Sequence, residues 1–554
     1  VTLKRLNRTD LILAIAAAAA SLLYFLSYFR YGYMEDEGYL VEGVMRVLDG
    51  QVIYRDFHHT YAPGRFYLFA LLFSVFGKNL LVVRATWAVL LAIKSGLAYW
   101  IARKLTSRPF ALMLAILVTL LPGPWHKTLF SFSAYLLLLG MIVLVERPGT
   151  RSHFWIGVVT GLMVLLRQDV AGFAAIGILV MAVARHFGGM DRSQHQSFWR
   201  QMVSYAVGVI VVIGPVLIAF QAAGALGSMI RGILIEGMTD NRTNQLPFPT
   251  LWPVSDFGQA YPAATVLLKL LFYLAPLSFG VLAIYMIVRA IRRASGHGDL
   301  FLLGALVLAV GCFNQSLWRS DFPHLYQSLQ PAYLLIVGLQ FTKFSILKQR
   351  LKPVWARGIL GAVILVGTPL LFCGPVYWVC GKLTDVNSFY GLRREGLYAR
   401  SVEYTGSALI RRGKTAQLPL KRAPLLVEEG RVEFLEYIGQ YLDENTRPGD
   451  SILSVPGFQL VYFLFDRRNP TRYIHVRRSL GSPEEEQRFI QDVVDGNTDL
   501  ILFTDMAIDG KRERRFQVYA RNIHDWIMDN YEYDGAIGHL AFLRRKESGL
   551  RTED

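Results

Sequence analysis

The chain has 554 residues, 53% of them hydrophobic, with a mean hydropathy of +0.33, three cysteines and a formal net charge of +16. Apolar runs repeatedly reach the roughly 20 residues needed to cross a ~30 Å hydrocarbon core, so the class is an integral membrane protein. Three cysteines are too few for a disulfide framework or a cysteine zinc site. The basic residues do not interleave with aromatics as a single-strand nucleic-acid platform would require.

Lys4, Arg5 and Arg8 precede an apolar run from Leu11 to Phe29 that has no small-residue cleavage site. This reads as a retained first helix rather than a signal peptide. An acidic cluster follows, Tyr33-Met34-Glu35-Asp36-Glu37-Gly38-Tyr39, and then Tyr54-Arg55-Asp56-Phe57-His58-His59-Thr60-Tyr61-Ala62-Pro63-Gly64. Charge so near a bilayer exit is costly and usually faces a water-filled, substrate-bearing cavity, although a cluster that merely ends the helix has the same spacing. Phe66 to Phe76 is apolar but too short to span, and is expected to lie along the outer face within one long first loop, 30–81.

Spanning helices are expected near 10–29, 82–102, 108–122, 129–145, 153–167, 170–185, 201–220, 263–289, 299–316, 325–342 and 357–378. Arg103/Lys104/Arg108, Arg147/Arg151, Arg289/Arg292/Arg293 and the stretch from Lys343 to Arg357 sit between these runs, and the positive-inside rule makes them cytoplasmic. The N-terminus is then inside and the C-terminus outside. Asp36, Tyr54 to Arg65, Trp125-His126-Lys127, Arg167-Gln168-Asp169, the 221–262 loop and Arg319-Ser320-Asp321-Phe322-Pro323-His324 all fall on the outer side. Cys312 lies in an apolar helix, and Cys373 and Cys380 flank the last span.

After Val379 the composition turns soluble. Short apolar runs at 451–455, 499–503 and 540–543 alternate with helical stretches near 432–445, 483–495 and 514–531. This predicts a polytopic α-helical membrane domain over 1–380, a linker over 381–430 and an extracytoplasmic α/β domain over 431–554. No Gly-rich nucleotide fingerprint opens a helix there, so no cofactor site is expected.

The order of these motifs is similar to the bacterial GT-C glycosyltransferases, near the protein O-mannosyltransferases and the lipid A aminoarabinose transferases. It runs from a first helix to Asp36-Glu37-Gly38-Tyr39, Leu48-Asp49-Gly50, Tyr54-Arg55-Asp56-Phe57 and Pro63-Gly64, then Arg319-x-Asp321-x-x-His324 and Arg467-Arg468-Asn469-Pro470-Thr471-Arg472-Tyr473. The resemblance implies a GT-C-like fold with about 11 transmembrane helices and outer juxtamembrane helices. It also implies transfer of a sugar from a polyprenyl-monophosphate donor to a hydroxyl on a glycan, lipid or protein. That reaction is a single inverting displacement at the outer face of the cytoplasmic membrane.

By the same resemblance Asp36 is the base, because a weak hydroxyl nucleophile needs a carboxylate to take its proton, with Glu37 beside it. The aminoarabinose transferases carry a lysine before the first-loop proline that meets the donor phosphate; Ala62 stands there in this chain. Arg65, Arg319, Lys127 and Arg167 are the candidate replacements, with Arg319 first because Asp321 and His324 accompany it. Tyr54, His58, His59 and Asp169 complete the expected substrate-binding set; Arg167 and Asp169 equally suit a structural pair. His58 and His59 could bind substrate or a divalent metal, but no third ligand is spaced with them, so no metal is assigned.

Two other functions compete. A lipid-linked glycan transporter or flippase would place polar groups at the midplane of paired repeats, whereas the ionisable residues here collect at one face and no repeat is visible. A polymerase or ligase using diphosphate-linked donors would share the outer arginines, and the Asp36-Glu37 pair favours the transferase over it.

Overall fold

The computed structural model describes residues 3–32, 35–120, 125–187, 198–236, 245–250, 262–292, 296–320, 324–332, 415–474, 476, 482–505 and 512–546. The chain divides into two compact units. One comprises Val1–Phe29, Arg84–Ile218 and Gln245–Arg411, the other Arg30–Val83, Ala219–Asn244 and Arg412–Asp554.

The first unit is a helical bundle. Among the described residues seven helices are long and apolar enough to cross a membrane: Arg8–Ser27, Leu80–Leu105, Trp125–Glu146, Thr150–Phe187, Phe198–Ala222, Phe272–Ile291 and His297–Trp318. The protein is therefore a multi-pass membrane protein. Arg108–Leu120, expected as a span, has only 13 residues, about 20 Å of helix. The spans expected at 153–167 and 170–185 are two helices that meet at a kink within Thr150–Phe187, where Arg167 is non-helical (φ −151°, ψ 83°). The expected helix at 325–342 is described over 324–332, and the one at 357–378, with Cys373 and Cys380, lies outside the described residues.

Packing in the bundle rests on large side chains and on two glycines. Phe130, Tyr135, Met141 and Phe313 are core residues with 4% exposure or less. A Cβ at Gly157 would lie 2.1 Å from the Tyr205 carbonyl oxygen, and one at Gly208 would lie 2.1 Å from that of Phe154. Thr150–Phe187 and Phe198–Ala222 thus meet backbone to backbone, the approach that small residues permit between membrane helices. At one end of the bundle the buried Asp10 carboxylate accepts from Arg103 Nε at 3.0 Å and Arg108 Nε at 2.8 Å. The cost of burying that acid is offset by two guanidinium groups.

The second unit gathers three stretches of chain. Asp36–Leu48 packs on Gly64–Phe76 and on the short helix Leu460–Leu464. Gly64–Phe76 is 13 residues long and apolar from Phe66 to Phe73, too short to span, as expected. A two-stranded antiparallel sheet pairs β1, Thr415–Gln417, with β2, Leu426–Glu428. A four-stranded sheet is built from β3 (Ile452–Val455), β4 (Leu500–Phe503), β5 (Tyr531–Ile537) and β6 (Leu540–Arg545), in the order β3-β4-β6-β5. β3 and β4 are parallel, while β6 runs antiparallel to both its neighbours.

All eight residues of β3 and β4 are buried, which is why β4 reads as a continuous apolar run and β3 as one broken only by Ser454. Helix Glu429–Asn445 precedes β3; Pro483–Asp495 and Arg521–Asn530 pack on the sheet core through Phe489, Val493, Ile523 and Ile527. The helical stretch expected near 514–531 falls as two helices, Phe516–Tyr519 and Arg521–Asn530, parted at Ala520, and Tyr531 opens a strand. β5 is an edge strand with Glu532, Tyr533 and Asp534 exposed, so it carries little of the alternation that marks a half-buried strand.

Candidate functional site

In the second unit the first-loop acids fall on one helix. Asp36 is the first residue of Asp36–Leu48 and is exposed, Glu37 is 1% exposed, and Glu42 is 4% exposed. The helix is held tightly against the chain beside it: a Cβ at Gly38 would come within 2.4 Å of the Leu460 backbone nitrogen. Gln459, at this contact, is 1% exposed, and neither atom of its side-chain amide has a hydrogen-bond partner among the described residues.

Glu42 anchors the far turn of that helix. Its Oε1 accepts from Arg46 Nε at 3.3 Å, from an Arg46 terminal nitrogen at 3.1 Å and from Asn469 Nδ2 at 2.7 Å. Arg46 also donates to the carbonyl oxygens of Asn469 at 3.3 Å and Thr471 at 2.7 Å. Burial pushes the Glu42 carboxyl up to about 7, against the opposing pull of Arg46 and Asn469. Two sequence motifs meet here: the helix after the first span and the Arg467–Tyr473 segment. Neither Glu42 nor Arg46 stands out in the sequence, because their i, i+4 spacing is that of any surface pair.

The Tyr54–Arg65 stretch is a closed loop. Tyr54 takes a positive φ of 72°, and its buried hydroxyl donates to the Tyr61 carbonyl at 2.6 Å. A tyrosine in the left-handed region is strained, and it persists because surrounding contacts fix it. Arg55 donates two bonds to Asp56, at 2.8 and 2.9 Å, and this pairing holds the Asp56 carboxyl below its usual range.

The adjacent histidines take different partners. His58 Nε2 lies 2.8 Å from Glu236 Oε2, whereas His59 Nε2 lies 2.8 Å from a terminal nitrogen of Arg65. The bond to His58 is the leading reason that the Glu236 carboxyl sits below its ordinary value. His58 also donates its backbone N–H to the Arg472 carbonyl at 2.7 Å. The guanidinium of Arg65 lies over the Phe66 ring, 4.8 Å from its centroid. Among the described residues no group of three or more His, Cys, Asp or Glu side chains converges as a metal site would require.

The remaining candidates belong to the first unit. Arg167 forms a two-pronged pair with Asp169, at 3.0 and 2.6 Å, and its guanidinium lies 4.9 Å from the Phe130 centroid. Gln315 Nε2 adds a third donor to Asp169 at 3.1 Å. Lys127 Nζ meets His324 Nε2. Arg319 ends the His297–Trp318 helix and bridges to Leu246 through its backbone. Asp321 lies outside the described residues.

The first unit also holds a charge that the sequence reading passed over. Lys94, in the middle of Leu80–Leu105, is fully buried, with its ammonium 3.3 Å from Gln330 Oε1. A single lysine in an apolar run was the available signal.

No family model matches the sequence, and no curated relative matches it. Solved structures do. ArnT from Cupriavidus metallidurans bound to undecaprenyl phosphate is 14% identical, with a TM-score of 0.55 over 96% of this chain and 97% of that one. The same enzyme in the apo state gives 13% identity and a TM-score of 0.53 over the same shares. The archaeal oligosaccharyltransferase AglB from Archaeoglobus fulgidus, in complex with an inhibitory peptide and a dolichol-phosphate, is 11% identical. Its TM-score is 0.50 over 97% of this chain and 75% of that one. The chain therefore has the fold of the GT-C membrane proteins, as its motif order implied.

Proposed function

We propose that this protein is a glycosyltransferase that moves a sugar from a polyprenyl monophosphate to a hydroxyl acceptor at the outer face of the cytoplasmic membrane. Its fold is that of ArnT, solved with undecaprenyl phosphate, and of AglB, solved with a dolichol-phosphate. The observation that carries the reading is the contrast along Asp36–Leu48. Glu37 and Glu42 are buried and the helix is clamped at Gly38 and Glu42, yet Asp36 is exposed at its tip. A base must reach solvent-borne substrate while its backbone stays fixed, and Asp36 meets both conditions.

In the proposed step an acceptor hydroxyl oxygen attacks the anomeric carbon as the bond from that carbon to the phosphate oxygen breaks. The polyprenyl phosphate leaves with the electron pair, the configuration inverts, and Asp36 takes the hydroxyl proton. Charge develops on the leaving phosphate, so fixed cations in a dry site lower the barrier most. Arg319, Lys127, Arg65 and Arg167 are the candidates; Arg167 is paired with Asp169 at two points, Arg65 meets His59 and Lys127 meets His324.

The test is transfer by purified protein in detergent from a panel of labelled polyprenyl-monophosphate and polyprenyl-diphosphate sugars, with a membrane extract as acceptor. Transfer from a monophosphate donor supports the reading. Transfer from diphosphate donors alone overturns the donor class.

A further inference from the structure

The turn that leaves β3 brings an unsatisfied amide to the start of the Asp36–Leu48 helix. β3 ends at Val455, whose carbonyl accepts from the Thr504 N–H at 3.0 Å just beyond β4, so the turn rises from the carboxyl end of the parallel pair. Ser454 Oγ donates to the Gly457 carbonyl at 2.7 Å and fixes its path. Phe458 then takes a φ of 71°, in the left-handed region where a bulky side chain is strained. Strain of this kind persists where contacts over-determine the backbone, and it gathers at ligand-binding positions.

Gln459 follows. It is 1% exposed, and neither its Oε1 nor its Nε2 has a hydrogen-bond partner among the described residues. The helix that begins at Asp36 touches this residue directly. A Cβ at Gly38 would lie 2.9 Å from the Gln459 carbonyl carbon and 2.4 Å from the Leu460 nitrogen. Asp36, Gly38 and Gln459 all belong to the second unit. A buried amide without partners is destabilising, and a leucine or methionine would fill the same space without that penalty. The amide therefore calls for a polar group that the described chain does not supply.

The chemistry of that group follows from the amide itself. Oε1 accepts and Nε2 donates, side by side in one plane, so the matching ligand presents a donor and an acceptor at the same spacing. Two neighbouring hydroxyls on a sugar ring do so. A lone serine, threonine or lipid hydroxyl satisfies one atom and leaves the other bare. In an inverting displacement the base stands on the nucleophile's side of the anomeric carbon, opposite the leaving group. A residue packed against the first turn of the base's own helix thus meets the acceptor.

We propose that Gln459 reads the acceptor, its amide holding two adjacent hydroxyls of a carbohydrate whose next hydroxyl gives its proton to Asp36. This rests on the transferase reading above and deepens it, naming a sugar rather than a protein side chain as the acceptor class.

The experiment follows transfer from labelled polyprenyl-monophosphate sugars by the full-length protein in detergent to three probes. These are an octyl glycoside, its deoxy analogue lacking one of the adjacent hydroxyls, and a membrane extract. Wild type is expected to favour the glycoside over the deoxy analogue at least tenfold in kcat/KM. Gln459→Leu and Gln459→Met should each lose tenfold or more on the glycoside, mainly through KM, and no longer distinguish the two. Their melting temperatures should be unchanged or raised, because the amide they remove has no partner. Label in extract carbohydrate that both variants lower tenfold supports the same inference. Equal use of the two glycosides by wild type overturns it whether or not the variants fold. Variants that keep the preference while melting lower reduce Gln459 to a structural residue. Extract label carried only on serine or threonine, released by β-elimination, overturns the acceptor class. No transfer to any probe overturns the transferase reading, whereas transfer without the preference overturns only this inference.

Discussion

Asn469 donates its side-chain amide to Glu42 Oε1 at 2.7 Å, joining two residues 427 positions apart in the chain. With Arg46, which bonds the same oxygen and the Thr471 carbonyl, it closes a buried network between the Asp36–Leu48 helix and the Arg467–Tyr473 segment. Removing one partner leaves another without its bond. Arg46→Met is expected to cost about 1–3 kcal/mol, because it takes two donors from the buried Glu42 carboxyl and one from the Thr471 carbonyl. Asn469→Ala is expected to cost about 1–3 kcal/mol. Thermal unfolding in detergent checks both, and equal, negligible effects would dissolve the network as a source of stability.

The same acid sets a pH dependence. Burial raises the folded-state carboxyl of Glu42 to about 7 from an ordinary 4.5. The folded state therefore holds a proton that the unfolded state has released. The contribution of Glu42 to stability is fully present below about 4.5, declines as pH rises to about 7, and is flat above; about 3 kcal/mol is its upper bound. Asp492 is also raised by burial and slopes the same way. Asp56 and Glu236, held below their usual range by Arg55 and His58, act oppositely and lose their contribution as pH falls through their folded values. The difference between wild type and Glu42→Gln isolates the first term: a melting temperature less dependent on pH between 4.5 and 7 is expected in the variant.

The pair formed by His58 and Glu236 joins the first loop to the turn Arg231–Glu236. Both side chains are partly exposed, at 20% and 27%, so their coupling should be modest, about 0.5–1 kcal/mol. A double-mutant cycle of His58→Ala and Glu236→Gln on unfolding free energy measures it. Additive single effects would mean that the bond contributes nothing.

Gly38 is where helix and neighbouring chain touch most closely. Gly38→Ala must push the first turn of Asp36–Leu48 away from Leu460, because the added carbon would sit 2.4 Å from a backbone nitrogen that cannot rotate aside. A loss of about 1–3 kcal/mol is expected from overpacking. Transfer should fall with it, since Asp36 lies two residues away. Rates equal to wild type would show that the position of this turn does not govern the reaction.

The membrane class, most helix positions and the α/β pattern of the C-terminal residues were legible because apolar length and periodicity depend on local sequence. The buried strands of Ile452–Val455 and Leu500–Phe503 were visible for that reason, and the exposed edge strand from Tyr531 was not. Arg167-Gln168-Asp169 marked a real break: two helices meet there at a kink, where Arg167 leaves helical geometry. The sequence reading singled out Asp36, His58 and Arg65 as candidates and passed over the buried Glu42 and Arg46 of the second unit and Lys94 of the first. Their significance lies in partners hundreds of residues away, Asn469 and Gln330, which no local spacing encodes.

The most direct test of the proposed chemistry compares wild type with Asp36→Asn in transfer from a labelled polyprenyl-monophosphate sugar, with donor binding and melting temperature followed in parallel. The account predicts that the variant folds, binds donor within a few-fold of wild type and loses at least a hundredfold in turnover, the span expected of a general base. Turnover close to wild type in a folded, donor-binding variant would contradict it.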